Sequence, residues 1–532
     1  MRWATVVMAV VSTALAGCSG APPGETTTDP STACAPSPER CDGVDNDCDG
    51  LVDDEDDDVT DASTWFPDAD GDGFGHDGGQ TVSCARPSTT VALVAVGGDC
   101  NDTDASVHPG ALELCNRVDD DCDAATPDEG VAWQPAETGS FLDLTADFAA
   151  GTPGKPHDFL GLIDGTLHVC PGTWFATLRQ GNTDPALAVV GPGGSSVTVL
   201  DGGVHENGLT GWVSQGFSRI EGITFRNGAE GIRGSELELS DVVIEHVGLG
   251  TSEAWAIWAQ GATASLTDVV VQDVTGPAIA AFFDSNESVE VRGLRMHGEH
   301  AMGLFLADVR DAAIRDLDLD GNRGTGLTVY NGGAAHEGSE TTVEVESCRL
   351  VGHDAPSGGG LLALGRGAPV AVTLRECEVS NNVADLWGGG ASLEGHADLH
   401  LIDTVFANNV APRGGALRAW DGTDPSMIPA HHVTCTATEA GTYGFVSNLA
   451  TEVGGGAIEL DSTVWGDTRD ALSSVTASAC DFGTQGGGDD NAPVDILERV
   501  YEGVVGVPGP REEQRTDLGD DVSTCVGAGC TP

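Results

Sequence analysis

The sequence predicts an all-β protein: a β-solenoid of ten or more coils, preceded by a small, acidic, cysteine-rich module. First, the chain of 532 residues holds 75 Gly and only 5% aromatic residues, which favours turns and repetitive strands over helices. Second, an apolar pattern recurs about every 27 residues across the C-terminal two thirds, an interval typical of solenoids. Third, 25 acidic residues lie between Cys41 and Gly130.

The overall charge limits the partners that the protein can bind. Lys and Arg total 23 and Asp and Glu total 84, which gives a formal net charge of −61. Such a chain repels the phosphates of nucleic acids and anionic membrane surfaces. We therefore exclude nucleic acid as a partner. Hydrophobic residues make up 40% of the chain, enough for a packed core.

The first 18 residues have the features of an export signal. Arg2 precedes the apolar run Val6–Leu15, which is shorter than the roughly 20 residues of a spanning helix. The signal ends in Leu-Ala-Gly-Cys at Cys18, which resembles the lipobox of bacterial lipoproteins. The resemblance implies a lipid on Cys18 that anchors the chain in a membrane, and Ser19 implies the outer membrane, facing the surface or the periplasm. An ordinary cleaved signal is the alternative. Residues 19–40 predict a flexible tether.

The acidic module, residues 41–130, contains a duplication and three D-x-D-x-D loops. Cys41–Asp49 matches Cys115–Asp123. Alternate carboxylates on a tight loop point inward together, and Gly at the sixth position permits a sharp turn. Gly50 and Gly73 occupy that position, whereas Ala124 weakens the third loop. The predicted metal ligands are Asp45, Asp47, Asp49, Asp53, Asp68, Asp70, Asp72, Asp119, Asp121 and Asp123.

The donor chemistry of these loops favours calcium. Oxygen-only ligands suit Ca²⁺ better than copper or zinc. His76 and His108 leave a transition metal as a minor alternative, and a solvated acidic surface without a specific ion is another. We expect structural Ca²⁺ sites, because the loops would otherwise repel themselves.

A known family shares these motifs. The segments that carry the resemblance are Cys41–Glu55, Trp65–Gly75, Gly98–Asp104 and Cys115–Glu129. Together they resemble the MopE-like group of secreted bacterial proteins with metal-binding motifs. The Asp loops are also similar to those of thrombospondin type 3 and dockerin repeats, which implies calcium binding.

Cysteine usage predicts disulfides. Without Cys18 the chain has 14 Cys, an even number, and export favours their oxidation. An odd number in the module means that one bond leaves it, with Cys170 as a possible partner, or that one thiol stays free. In the solenoid, two Cys at one inward position of successive coils permit either a bridge or two buried thiols. The candidates are Cys41, Cys48, Cys84, Cys100, Cys115, Cys122, Cys348 with Cys377, and Cys525 with Cys530.

The solenoid is predicted over residues 160–488, with 489–532 as a C-terminal tail or cap. An h-x-x-h-x-h pattern gives the alternation of a strand. A leucine-rich-repeat horseshoe is the alternative, but its consensus is missing. The segment from Leu167 to Gly202 resembles the first coils of right-handed parallel β-helix proteins, the pectin-lyase-like superfamily. The first positions of the pattern are Ile220, Leu239, Leu266, Val291, Ile314, Val345, Leu374, Leu401, Ala430 and Leu460.

Two classes of function remain for the rod. Enzymes of the β-helix class act on acidic polysaccharides, but the residue patterns of polygalacturonases are absent and Lys155 is the sole lysine. Asp316, Asp318 and Asp320 alternate on one strand, which indicates a solvated face more than a carboxylate or calcium site. Because fold does not imply function, we favour binding or structure, with a glycan or a surface protein as ligand. A polysaccharide lyase or glycoside hydrolase is the alternative.

Overall fold

The computed structural model divides the chain into two compact units, Met1–His108 and Pro109–Pro532. None of the helices in the described part of the chain is long or apolar enough to cross a membrane. Cys18 and Cys530 lie outside that part. The described residues are 37–111, 118–124, 130–137, 142–153, 155–160, 165–179, 187–203, 217–228, 231–247, 255–274, 279–298, 302–333, 338–420, 431–438, 443–452, 455–464, 473–483, 491, 495–502, 512–516 and 522–526.

The first unit is built from short strands and loops. Ser63–Asp68 pairs antiparallel with both Thr81–Ser83 and Ala92–Val94, and Gly75–His76 pairs parallel with Gly97–Asp99. A single 3-10 turn covers Asp53–Glu55. The strands of the first unit bury few apolar side chains, Leu93 among them. The unit therefore depends on links other than a hydrophobic core.

The second unit is a β-solenoid, which confirms the predicted fold class. One face of the solenoid is a ladder of parallel strands in which each strand pairs with its equivalent in the next coil. Paired residues of successive strands are 19 to 42 residues apart in sequence, as in the pairs Phe217 with Glu236 and His432 with Ser474. In order, the strands of this ladder are Gly165–Val169, Leu187–Val190, Phe217–Arg226, Glu236–Glu245, Thr263–Gln272, Ser288–His297, Asp311–Asp320, Thr341–Val351, Leu361–Ser380, Ala391–Ile402, His432–Thr436 and Ser474–Cys480.

A second ladder forms another face of each coil. Two long strands, Leu361–Ser380 and Ala391–Ile402, run through both faces. The other members are Ile232–Gly234, Trp255–Gln260, Ile279–Asp284, Met302–Ala307, Leu327–Asn331, Leu417–Trp420, Ile458–Val464 and Ile496–Glu502.

Smaller elements complete the coils. One short helix, Thr145–Ala149, precedes the solenoid. His157–Leu160 pairs parallel with Ala176–Arg179. Gly172–Trp174 and Thr198–Asp201 pair in the early coils, and Val405–Ala407 pairs with Gly444–Val446 later. A third sheet consists of Asp354–Ser357, Val383–Trp387, Val410–Ala411 and Leu449–Ala450.

The first positions of the apolar pattern lie in register inside the solenoid in the first eight of the ten predicted repeats. Ile220 pairs with Leu239, and Leu239 pairs with Leu266. The same column continues to Leu401, and its members are buried. These residues stack because equivalent inward positions of successive parallel coils lie one strand spacing apart.

The predicted register of the last two repeats is wrong. Cys435 lies opposite Leu401, at the first position of the pattern. The prediction counts this repeat from Ala430, which lies outside the described residues, and so puts Cys435 at the sixth position. Leu460 pairs with Ala419 in the second ladder. Both ladders alternate buried and outward residues, so the apolar period alone does not distinguish one face from the other.

Two disulfides join successive coils. Cys348 and Cys377 face each other with Cα atoms 4.4 Å apart and form a bridge. Cys435 and Cys480 form a second bridge, with a Cα separation of 6.2 Å. The second pair was not predicted, because the mistaken register placed Cys435 elsewhere in its coil.

A buried ladder of asparagine side chains runs through the later coils. Nδ2 of Asn382 donates to Oδ1 of Asn409 (3.0 Å), and Nδ2 of Asn409 donates to Oδ1 of Asn448 (3.0 Å). Asn448 continues the ladder to Asn491 (2.9 Å). Each amide also donates to a backbone carbonyl of a neighbouring coil, as Asn382 does to Leu350 (2.9 Å). The ladder thus satisfies turn backbone that would otherwise be buried without partners.

Antiparallel strands lie along both ends of the solenoid. Val131–Pro135 pairs antiparallel with Gly165–Val169 at the N-terminal end. Glu512–Thr516 pairs antiparallel with Ile496–Glu502, and Val522–Val526 with Ser474–Cys480. These strands occupy the open edges that a parallel ladder would otherwise expose.

Buried His431 makes solenoid stability depend on pH. Burial lowers the pKa of His431, against the raising effects of the backbone oxygen of Ala397 (2.8 Å) and the charge of Asp398. The imidazole of His431 is therefore neutral in the folded protein, whereas in the unfolded chain its pKa lies near the ordinary value for histidine. His431 therefore contributes its full stabilisation above about pH 6.5. As the pH falls from there toward the folded pKa, the free energy of unfolding decreases by about 1.4 kcal/mol per pH unit.

We expect His431→Asn to reduce that pH dependence. Denaturant unfolding followed by tryptophan fluorescence at pH 7.5 and pH 5.5 measures it. The free energy lost between the two pH values should be smaller in the variant than in the wild type by about 1 kcal/mol. An equal loss in both proteins would contradict the prediction.

Candidate metal centre

Two Asp loops of the first unit adopt the same hydrogen-bonding pattern. In the first, the amides of Cys48 (2.6 Å) and Gly50 (3.2 Å) donate to the carboxylate of Asp45. In the second, Gly71 (2.6 Å) and Gly73 (3.3 Å) donate to Asp68 in the same way. The repeated geometry follows from the shared spacing of acids and glycines, because the fourth and sixth positions have positive φ in both loops.

In the middle and last acids of each loop, one carboxylate oxygen accepts a backbone amide from two residues further along the chain. Oδ1 of Asp70 accepts the amide of Asp72 (3.3 Å), and Oδ1 of Asp72 accepts the amide of Phe74 (2.8 Å). The equivalent bonds in the first loop are Asp49 to Asp47 (3.0 Å) and Leu51 to Asp49 (2.9 Å). Each such carboxylate keeps a second oxygen that these bonds do not use.

Acids from outside the predicted ligand set complete both centres. Glu39 is fully buried, and its oxygens accept the amides of Asn46 (2.8 Å) and Asp53 (3.2 Å). Asp102 accepts the amide of Ala69 (2.6 Å) from 33 residues away. Within the described residues, four groups of acids offer oxygens that lie within 4.8 Å of one another: Glu39, Asp45 and Asp47; Asp47, Asp49 and Asp56; Asp68, Asp70 and Asp102; Asp70, Asp72 and Asp99.

The second loop and the adjoining Asp99 contain buried carboxylate oxygens that lack hydrogen-bond partners. Oδ2 of Asp70, Asp72 and Asp99 are all buried in this way. Asp99 itself is only 2% exposed, and its other oxygen accepts the amide of Asn101 (2.8 Å). Buried, unpaired carboxylate oxygens are costly unless a cation or donor meets them. The three side chains are therefore suited to hold a metal ion.

The pKa values show the mutual repulsion of these acids. Burial raises the pKa of Asp99, and the charges of Asp72, Asp70 and Asp102 raise it further against the hydrogen bond from Asn101. The pKa of Asp47 is also raised: the backbone hydrogen bond from Asp49 lowers it, but desolvation and neighbouring acids outweigh that effect. A divalent cation would relieve this repulsion.

Other predicted ligands lie outside the four groups. Asp53 accepts the amide of Gly43 (2.9 Å) and caps the first loop instead. In the third loop, the amide of Asp123 donates to Asp121 (2.9 Å), as in the other two loops. Among the described residues, however, no metal-binding group includes Asp119, Asp121 or Asp123. Ala124, at the sixth position, lacks the positive φ of Gly50 and Gly73.

Histidine and cysteine contribute nothing to the four groups. Nδ1 of His76 lies 3.2 Å from the backbone oxygen of Asp99, and His108 stacks on Phe74. Cys41 and Cys84 form a disulfide with Cα atoms 5.2 Å apart. Cys48, Cys100, Cys122 and Cys170 are also disulfide-bonded, whereas Cys115 lies outside the described residues. The groups found in the described chain therefore offer oxygen donors alone.

One of the three alternating acids of the rod, Asp318, pairs with an arginine. Asp318 pairs with Arg349 (2.7 Å), and Arg349 lies 3.7 Å from Glu378 in the adjacent coil. Asp316 adopts a positive φ of 55° at the bend within its strand. Asp316, Asp318, Arg349 and Glu378 line a groove with charges of both signs, which is typical of a solvated face.

Comparison with known families supports the metal-binding assignment. Residues 36–54 and 99–127 match a family model described as "Putative metal-binding motif", of the MopE type, whose name refers to copper. No curated protein and no solved structure matches the chain. The matched segments include Glu39, Asp45, Asp47, Asp49, Asp99 and Asp102, whereas Asp68, Asp70 and Asp72 lie between them.

Proposed function

We propose that the acidic module binds Ca²⁺ and that calcium stabilises the first unit, whose described residues bury few apolar side chains. The observation that carries the proposal is the set of buried, unpartnered oxygens of Asp70, Asp72 and Asp99. Calcium takes six to eight oxygen ligands in flexible geometry, which carboxylates and loop carbonyls supply.

Bound calcium would join segments that are distant in sequence. Asp99 and Asp102 meet the loop at Asp68–Asp72, and Glu39 meets the loop at Asp45–Asp49. Asp47 and Asp70 each belong to two groups, so each carboxylate could bridge two ions. Such ions stabilise the folded state by mass action, by about 2.7 kcal/mol per ion at a hundredfold excess over Kd.

Donor chemistry favours calcium over the copper in the family name. Copper and zinc prefer imidazole or sulfur, whereas hard cations prefer carboxylate and carbonyl oxygen. The four acid groups of the described chain consist of Asp and Glu alone. Copper remains the competing ion in the experiment below.

The rod and the anchor complete the proposal. A lipid on Cys18 would hold the protein in the outer membrane, with residues 19–40 as a tether and the calcium-stabilised module at 41–130 next along the chain. The solenoid would present its outer faces to a glycan or a surface protein. The charged groove around Asp318 and Arg349 resembles a solvated face more than an active site. A polysaccharide lyase or hydrolase is therefore the alternative function and not the favoured one.

Calorimetric titration with a matched pair of variants tests the calcium proposal. The soluble chain from Ser19, freed of metal, is titrated with Ca²⁺, Mg²⁺ and Cu²⁺, and thermal melts are recorded. We expect Ca²⁺ to bind in the micromolar to millimolar range and to raise the melting temperature more than Mg²⁺ does.

The paired variants are Asp70→Asn and Asp57→Asn. Asp70 belongs to two acid groups, whereas Asp57 is exposed and belongs to none of those found in the described chain. Asp70→Asn should weaken Ca²⁺ binding at least about tenfold, and Asp57→Asn, with the same change in charge, should not. Equal affinities in both variants, or tight binding of Cu²⁺ alone, would contradict the proposal.

A further inference from the structure

The outward face of the first ladder carries charged side chains that alternate in sign from coil to coil. In one column, Arg295, Asp318, Arg349 and Glu378 follow one another in register. Arg349 lies 2.7 Å from Asp318 and 3.7 Å from Glu378. Opposite charges side by side stabilise a sheet, and like charges destabilise it. The column therefore compensates its own charges.

A second column of the same ladder breaks this alternation at one place. Its members, in register on successive coils, are Thr267, Arg292, Arg315, Glu346 and Arg375. Glu346 separates Arg315 from Arg375 and pairs with Arg315 (3.1 Å), but Arg292 stands directly beside Arg315. No ion pair within the described part of the chain includes Arg292. Although the chain has 84 acids and 23 bases, these two arginines have no acid between them.

A groove lies where the alternation breaks. It has a volume of about 260 Å³, and Arg292 and Arg315 both line it. Ser265 and Thr267, which are half-buried on the preceding coil, bring two hydroxyl groups to the same groove. Ala313 also lines the groove, and its small side chain leaves room beside Arg315. The groove therefore combines two guanidinium groups with two hydroxyls, and all four can donate hydrogen bonds.

These donors suit one oxyanion. Guanidinium groups bind oxyanions through charge-assisted hydrogen bonds. An oxyanion between Arg292 and Arg315 would restore the alternation of charge that the rest of the column has. Glu290 lines the groove as well, and its carboxylate disfavours a second negative charge but accepts hydrogen bonds from hydroxyls. The net charge of −61 opposes a polyanion in the same way.

We propose that the groove at Arg292 and Arg315 binds a singly charged oxyanion carried by a sugar, such as a sulfate ester or a carboxylate. The inference rests on the binding role proposed for the rod and names the chemical group that the rod recognises. The oxyanion lies between the two guanidinium groups, and the hydroxyls of the sugar face Glu290, Ser265 and Thr267.

Ligand-observed NMR titration of the soluble chain from Ser19, at one fixed Ca²⁺ concentration, tests the inference. The probes are glucose 6-sulfate and glucuronate as charged sugars, glucose as the uncharged sugar and inorganic sulfate as the free ion. The variants are Arg292→Gln, which removes one charge, and Ala313→Leu, which fills the groove without changing the charge. Arg375→Gln is the matched control, because Arg375 is exposed in the same column but does not line the groove. Thermal melts establish that all variants are folded.

We expect at least one charged sugar to bind about tenfold more tightly than glucose, and Arg292→Gln and Ala313→Leu each to weaken that binding about tenfold. Arg375→Gln should change it less than about twofold, because the charge that it removes lies outside the groove. Equal weakening by Arg292→Gln and Arg375→Gln would overturn the site, because only the overall charge would then matter.

The four probes separate the other outcomes. Inorganic sulfate that binds as tightly as both charged sugars would overturn recognition of a sugar. Binding of glucose alone would overturn recognition of an oxyanion, while leaving a binding role for the rod intact. Binding of no probe by the folded wild type would overturn the inference outright, whereas the calcium proposal is decided separately by the titration with Ca²⁺.

Discussion

Replacing Arg418 with alanine is expected to destabilise the solenoid by about 3–5 kcal/mol. Arg418 is only 4% exposed, and its Nη2 lies 2.6 Å from Oδ2 of Asp461, which is also buried. Its guanidinium lies 4.5 Å from the ring centroid of Trp387 and 5.4 Å from that of Trp420. Removal of the cation leaves a buried carboxylate with less compensation, because Arg413 (2.7 Å) must then neutralise both Asp461 and Glu459.

An exposed ion pair provides the control for Arg418. Arg219 and Glu221 lie 2.7 Å apart, but their side chains are 50% and 42% exposed. Arg219→Ala should therefore change the free energy of unfolding by less than about 1 kcal/mol. Denaturant unfolding of both variants measures the difference. Similar losses of unfolding free energy in the two variants would contradict the prediction that removing the buried Arg418 is the more costly change.

Replacing Asn382 with alanine is expected to cost about 3 kcal/mol or more. Its Nδ2 donates to Leu350 (2.9 Å) and to Asn409, and its Oδ1 accepts the amide of His353 (2.9 Å). Each of these partners is buried. The substitution would leave several polar groups without partners where water cannot reach them, at about 1–3 kcal/mol each.

The adjacent asparagine is a matched control. Asn381 is exposed and adopts a positive φ of 56°, a conformation that glycine also adopts. Asn381→Gly therefore removes the same side chain without backbone strain, and we expect a change below about 1 kcal/mol. Chemical denaturation of the two variants compares them. A loss for Asn381→Gly as large as that for Asn382→Ala would refute the assigned role of the ladder.

The sequence allowed most of the solenoid to be predicted, because its coils repeat an inward apolar column. Eight first positions, from Ile220 to Leu401, are in register in the structure. The prediction failed at Cys435 and Leu460, where the same alternation occurs on two faces of one coil. Periodicity reports that a residue points inward; it does not report which sheet the residue belongs to.

The candidate metal centre was predictable only where its ligands are close in sequence. The spacing of Asp68, Asp70 and Asp72 fixes the loop, because each carboxylate accepts a nearby amide. Asp99 and Asp102 come from about 30 residues away and depend on how the strands of the unit pair.

The terminal strands of the solenoid have an evolutionary consequence. Because Val131–Pro135 and the pair Glu512–Thr516 and Val522–Val526 complete the first and last coils, the interior coils have interchangeable neighbours. Duplication or deletion of a coil that carries neither an inter-coil disulfide nor the asparagine ladder would leave both termini as they are and preserve the inward apolar column. The rod can therefore change its length in a single recombination event.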